Sequence, residues 1–387
     1  MNRILFIIIF AQFFCTSVWF AGNAVMTDLA IAKNLDALFL VYLISAVQFG
    51  FIIGTLVFAA LAFADRYSPS SVFLFSALLS ALFNGFITFN WVSGSSILIC
   101  RFLTGFFLAG IYPVGMKIAA DYFEKGLGKS LGFLVGALVL GTAFPHLIKG
   151  LSIKQSWEYV LYATSTLSIF GGVMLFLGVK DGPYRKKLEK INFSEVGKIF
   201  RIPALRQSAF GYFGHMWELY TFWTFVPLLL SQKLNSSDYN FPVLSFIIIG
   251  LGAVACFISG ILSERFGAKK IALISVSASS FCCILFPIFF LFASDEFYIA
   301  YLLFWGFFVV ADSPMFSSLV AANAPAELRG STLTMVNSIG FVITILSIQM
   351  MGQLLKYLPF YFVWTILAIG PFFAVLQLVN SSNKLKL

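Results

Sequence analysis

The chain has 387 residues, 60% of them hydrophobic and only 11% charged. Soluble globular domains carry about 25% charged residues, so this composition excludes a soluble enzyme or binding module. The net charge of +9 reads as membrane orientation rather than as affinity for nucleic acid.

Apolar runs near 20 residues or longer, bounded by short polar clusters, predict membrane-spanning helices. They are too long and continuous for barrel strands. Twelve follow in chain order: 4–30, 38–63, 71–90, 95–120, 128–149, 157–179, 207–232, 240–262, 269–293, 297–322, 329–354 and 357–380. Span 1 follows Met1-Asn2-Arg3 as a signal peptide would. Its apolar stretch runs past signal length with no small-x-small cleavage site, so it is read as a span. Asn23 lies within it. Asp65-Arg66 follow span 2, and span 4 holds Arg101, Tyr112-Pro113 and Lys117. Span 5 carries Gly132, Gly136, Gly141 and His146.

The basic connector 180–206 contains Gly182-Pro183. Its segment Phe193–Phe200 reads equally as a short amphipathic surface helix or as solvated linker. Span 7 carries His215, Trp217 and Glu218, Glu264-Arg265 follow span 8, span 10 holds Asp312-Ser313-Pro314, and span 11 holds Asn337 and Gln349. Cys15, Cys100, Cys256, Cys282 and Cys283 all fall in spans without metal-ligand spacing, so no metal or cofactor is expected.

With the N-terminus inside, eighteen Lys and Arg fall on cytoplasmic segments. Only Lys33, Lys149, Lys154, Lys233 and Lys356 lie outside. This satisfies the positive-inside rule with both termini cytoplasmic. The expected organisation is an N-terminal six-helix bundle (1–179), a cytoplasmic linker (180–206) and a C-terminal six-helix bundle (207–387). The halves repeat: Asp65-Arg66 and Glu264-Arg265, Tyr112-Pro113 and Ser313-Pro314, and Gly128 and Gly330 correspond at offsets of 199–202 residues. Parallel six-span repeats are a transporter architecture.

The stretch Gly260-Ile-Leu-Ser-Glu264-Arg265-Phe-Gly267-Ala-Lys269-Lys270 resembles the G-x-L-a-D-R-x-G-R-R loop of the major facilitator superfamily. The first-half copy keeps Asp65-Arg66 but has Leu61 in place of the glycine. Arg101-Phe-Leu-Thr-Gly105-Phe-Phe-Leu-Ala109-Gly110 is similar to the family's fourth-span pattern. The resemblance implies an all-α integral membrane protein of twelve helices in two pseudo-symmetric bundles, with spans 1, 4, 7 and 10 lining a central cavity. It also implies that Asp65, Arg66, Glu264 and Arg265 act as gating charges. The alternative for these four is ordinary cytoplasmic charge. The Gly-Pro-x-x-Gly-Gly ending of the family's antiporters is absent from span 5.

A charge near the bilayer centre costs about 2.5–3.5 kcal/mol or more and usually marks function. Arg101 suits either an anionic solute or a partner acid, unless it snorkels. Lys117 joins it as a solute contact or pairs with Asp121. Glu218 and Asp312 are proton-coupling candidates with His215, which shares a helix face with Glu218. Their alternatives are an interhelical hydrogen bond for Glu218 and a kink at Pro314 for Asp312. Asn23, Tyr112, Trp217 and Asn337 are expected to contact solute or to pack.

The expected activity is secondary active transport of a small organic solute, anionic and proton-symported. The alternative is a proton-driven exporter of amphipathic or cationic compounds. No G-x-S-x-G, H-E-x-x-H or P-loop supports an enzyme. The expected partners are the solute, protons and the lipid bilayer, with no nucleic acid. The protein is expected to act as a monomer, and short loops point to a bacterial inner membrane.

Overall fold

A computed structural model describes residues 3–36, 39–123, 127–152, 155–185, 200–325 and 328–380, helical with no strand among them. The segment Phe193–Phe200 and residues Lys125, Lys154, Lys384 and Lys386 lie outside those ranges.

Among the described residues, ten helical stretches are long and apolar enough to cross a membrane, and they coincide with predicted spans 2–6 and 8–12. Spans 1 and 7, which occupy equivalent places in the repeat, fall short of that measure for different reasons. Span 7 is one continuous helix, Pro203–Ser231, made less apolar by Arg206, Gln207, His215 and Glu218. Span 1 is interrupted. It consists of Arg3–Thr16, Ala21–Ala24 and Met26–Lys33. At the first break the Thr16 hydroxyl bonds Gln12 O at 2.8 Å and the Ser17 hydroxyl bonds Phe14 O at 2.7 Å. Hydroxyls that bond back to the preceding turn compete with the helical ladder.

Spans 4 and 10 break at matching places. Gly94–Leu108 is followed by Tyr112–Tyr122, and Asp295–Ala311 by Ser313–Asn323. Pro113 and Pro314 each lack an N–H, and each ring crowds the carbonyl four residues earlier, at Ala109 and Val310. The carbonyls freed there need other partners. Cys256 Sγ supplies one, 3.5 Å from Val310 O.

The chain forms two compact units, 1–190 with 236–253, and 191–235 with 254–387. The first half of span 8, which the sequence assigns to the second bundle, groups with the first. It packs on span 5, where Asn240 Nδ2 donates to Gly150 O at 3.0 Å. Within the N-terminal unit, spans 2 and 4 meet at glycines. A Cβ on Gly105 would lie 2.7 Å from the Val47 carbonyl carbon, and one on Gly50 would lie 2.8 Å from that of Phe102. Only glycine permits that approach.

The repeat extends to a detail beyond the motifs. Lys33 Nζ donates to Phe89 O at 2.9 Å, in the turn that follows the helix Pro69–Phe86. Lys233 Nζ donates to Phe290 O at 2.6 Å, in the last turn of span 9. Each lysine adds a donor to a carbonyl at or just beyond a helix C-terminus.

Candidate functional site

In the N-terminal unit Arg101 is wholly buried. It does not snorkel. Nη1 donates to Val18 O at 3.0 Å and to Asn84 Oδ1 at 3.0 Å, and Nη2 donates to Trp19 O. Both carbonyls belong to the interruption of span 1, so the guanidinium supplies donors where the helix ladder is missing. Asn84 extends the network to span 6, with Nδ2 3.1 Å from Thr164 Oγ1 and 3.0 Å from Ser165 Oγ.

Lys117 pairs with Asp65 at 2.7 Å rather than with Asp121. The predicted solute contact and the predicted gate residue are thus a single ion pair. Arg185 Nη2 binds the same turn, donating to Asp65 O at 3.0 Å and Tyr67 O at 2.7 Å. Ser68 Oγ donates to Asp181 Oδ1 at 2.7 Å. The loop after span 2 is therefore fastened to the residues that follow span 6. Ala62, at the entry to that turn, holds a left-handed φ of 50°. Arg66, Glu264 and Arg265 are exposed. The Arg265 guanidinium lies 5.2 Å from the Phe266 ring centre.

In the C-terminal unit, one face of span 7 carries His215 and Glu218. His215 Nδ1 lies 2.8 Å from Asp312 Oδ1, with both side chains 1% exposed. One turn on, Glu218 receives three donors. Trp305 Nε1 reaches Oε1 at 2.6 Å, Cys283 Sγ reaches Oε1 at 3.3 Å, and Ser279 Oγ reaches Oε2 at 2.9 Å. Ser279 Oγ is also 3.2 Å from Val276 O. A buried carboxylate is tolerated only when so supplied.

The remaining predicted residues are not brought to these clusters. Asn23 is buried and its amide has no hydrogen-bond partner among the described residues. Tyr112 and Asn337 are half-buried. Trp217, next in sequence to Glu218, faces the other way. It lines an apolar groove of about 270 Å³ with Phe210, Phe213, Ile343, Ile369 and Phe373.

Sequence reasoning missed Asn84, Ser279 and Cys283 as polar partners. A signal for them existed. Ser80 and Asn84 are four residues apart on span 3, and Ser279 and Cys283 stand 199 residues later on span 9, the offset of the loop repeat. Span 3 thus supplies Asn84 to Arg101, and span 9 supplies Ser279 and Cys283 to Glu218.

The family model described as Major Facilitator Superfamily matches residues 4–348. The chain is similar to the uncharacterized MFS-type transporter YybF of Bacillus subtilis (strain 168), 23% identical over 189 residues, 47% of this chain and 46% of that protein. It is also similar to the glycine betaine/proline/ectoine/pipecolic acid transporter OusA of Dickeya dadantii (strain 3937). There the identity is 25% over 312 residues, 71% of this chain and 60% of the relative. The chain thus spans about half to three-fifths of the length of these curated relatives. The solved structure of the proton:xylose symporter XylE bound to 6-bromo-6-deoxy-D-glucose superposes with a TM-score of 0.77 at 12% identity. That match covers 98% of this chain and 95% of the other. At that identity the likeness shows the fold alone.

Proposed function

Because the chain belongs to the major facilitator superfamily, we propose that it is a secondary transporter of a small organic solute, driven by protons, with Glu218 as the proton carrier. The observation that carries this reading is the Ser279 hydroxyl, within reach of both Glu218 Oε2 and Val276 O. When Glu218 is ionised, the hydroxyl donates to Oε2. When Glu218 is protonated on Oε2, the acid donates to Ser279 Oγ, and the hydroxyl turns to Val276 O. A hydroxyl both donates and accepts, so neither charge state leaves a buried polar atom without a partner. Proton gain and loss then needs no repacking of spans 7, 9 and 10.

One turn away His215 Nδ1 and Asp312 Oδ1 lie 2.8 Å apart, and in this reading the pair belongs to the same coupling site. Arg101 has its Nη donors on two carbonyls and an amide oxygen, and Lys117 is paired with Asp65. Both cations are engaged, which weakens the expectation of an anionic solute and favours positioning roles for them. Cytoplasmic termini are read from the lysine and arginine asymmetry, and a bacterial inner membrane from the short connectors.

Purified protein in liposomes tests the reading. D-xylose, myo-inositol, glycine betaine and succinate are offered under an imposed pH gradient of either polarity, which separates uptake from export. Glu218→Gln and Ser279→Ala should lose gradient-driven accumulation while retaining solute counterflow. Wild-type accumulation by Glu218→Gln would sink the assignment.

A further inference from the structure

Both Nη groups of Arg101 and both oxygens of Glu218 are supplied with partners. Another set of buried polar groups in the N-terminal unit is not. Gln12 on span 1 and Gln48 on span 2 are fully excluded from solvent, and neither the oxygen nor the nitrogen of either amide has a hydrogen-bond partner among the described residues. The same holds for both amide atoms of Asn23. On span 5, Thr142 Oγ1 and His146 Nε2 are likewise buried and unpartnered. Thr142 and His146 are four residues apart and share a helix face.

The elements that carry these groups are joined through span 5 and the Ala21–Ala24 turn. Arg3–Thr16 packs along span 5, and the short Ala21–Ala24 turn packs against both span 5 and span 2. The Gln12 carbonyl lies against Gly115 of span 4, where any side chain would collide with it.

Buried polar atoms in native proteins are almost always hydrogen-bonded, and each exception asks for a reason. A leucine at position 12 or 48 would fill a similar volume without any desolvation loss, so the amides are costly as packing. Their cost is explained if something supplies their partners during the working cycle. We infer that Gln12, Asn23, Gln48, Thr142 and His146 form the hydrogen-bonding wall of a solute site inside the N-terminal unit, and that its occupant is an uncharged, hydroxyl-rich compound.

The chemistry selects that class. Amides and hydroxyls both donate and accept, as do the hydroxyls of a polyol. An anion would satisfy only the donors and leave the amide oxygens bare. A quaternary ammonium zwitterion has no N–H or O–H with which to reach those oxygens. No carboxylate stands among the five. This inference rests on the transporter reading and names the kind of solute that it moves.

The test uses full-length protein in detergent, with Gln12→Leu and Gln48→Leu as variants. Thermal unfolding is followed without solute and with D-xylose, mannitol or myo-inositol, against glycine betaine and succinate. At least one polyol should raise the wild-type midpoint, and neither charged compound should. Both variants should unfold at or above the wild-type temperature without solute, yet need about tenfold more polyol for the same shift, a loss of about 1.4 kcal/mol in binding. Variants that unfold several degrees lower would show the amides to be structural and overturn the inference. So would variants that keep the full shift, or a wild type indifferent to all three polyols. Proteoliposome flux separates the two readings. Carriage of glycine betaine or succinate with no response to polyols sinks this inference alone, whereas a wild type that carries none of the five sinks transport itself.

Discussion

Replacing Trp305 by Phe removes one donor from Glu218 and little else. The indole N–H only donates, so its bond to Oε1 at 2.6 Å persists in both charge states of the acid, but with different strength. A hydrogen bond to a charged group is worth about 1.5–3 kcal/mol and one between neutral groups about 0.5–1.5 kcal/mol. The phenyl ring keeps the packing on Phe222, whose ring centre lies 4.5 Å from that of Trp305. The smaller ring leaves a gap whose cost does not depend on pH. The penalty of Trp305→Phe should therefore be larger at alkaline than at acid pH by about 1 kcal/mol, the difference between the two bond strengths. The direction follows because the ionised form, favoured at alkaline pH, has more to lose. Equilibrium unfolding by SDS in mixed micelles, followed by circular dichroism, measures it. In a Glu218→Gln background the pH difference should vanish while the gap penalty remains. An equal penalty at both pH values would refute the reasoning and leave proton carriage to His215 and Asp312.

Three further outcomes follow from the packing. Asn84→Leu takes an acceptor from the buried Arg101 guanidinium and should cost about 1.5–3 kcal/mol in the same unfolding assay. Gly105→Ala sets a methyl group against the Val47 carbonyl. Because the obstacle is backbone, the cost should reach about 3 kcal/mol, whereas Gly132→Ala, with nothing within 4 Å of the added carbon, should be neutral or stabilising. Ala62→Gly relieves left-handed strain of about 1–2 kcal/mol. After the entropy cost of glycine, about 0.5–1 kcal/mol, it should stabilise the protein by about 0.5–1 kcal/mol. A loss of stability would show that the turn is held by something other than Arg185.

Hydrophobic length made the spans legible and Pro314 pointed to the break in span 10, because lipid demands long apolar runs and proline cannot complete a ladder. The matching break at Pro113 went unread. The break in span 1 was not legible. No proline or glycine stands between Thr16 and Phe20, and the donors that sustain the opening come from Arg101, far along the chain. Partner choice was similarly hidden. Lys117 has an acid one turn away at Asp121, yet takes Asp65 from the preceding loop. Trp217 and Glu218 are neighbours in sequence, but helical geometry sends one to an apolar groove and the other to a polar knot. Side chains that meet across spans are set by packing, which periodicity within one span does not encode. The pair Ser279 and Cys283 was within reach of a fuller use of the repeat.

The lysine–carbonyl contacts bear on how solute arrives. Of the five cations on the face expected outside, Lys33 and Lys233 are spent on main-chain carbonyls, and Lys149 is joined to Asp28. Asp28, Asp36, Glu158, Asp238, Asp295 and Glu296 fall at the same connectors and nearly balance the five lysines. That face therefore offers little electrostatic guidance to a charged molecule approaching by diffusion, and encounter rates there should change little with ionic strength. For an uncharged solute nothing is lost by this. Initial uptake rates at low and high salt, with the proton gradient held constant, should coincide.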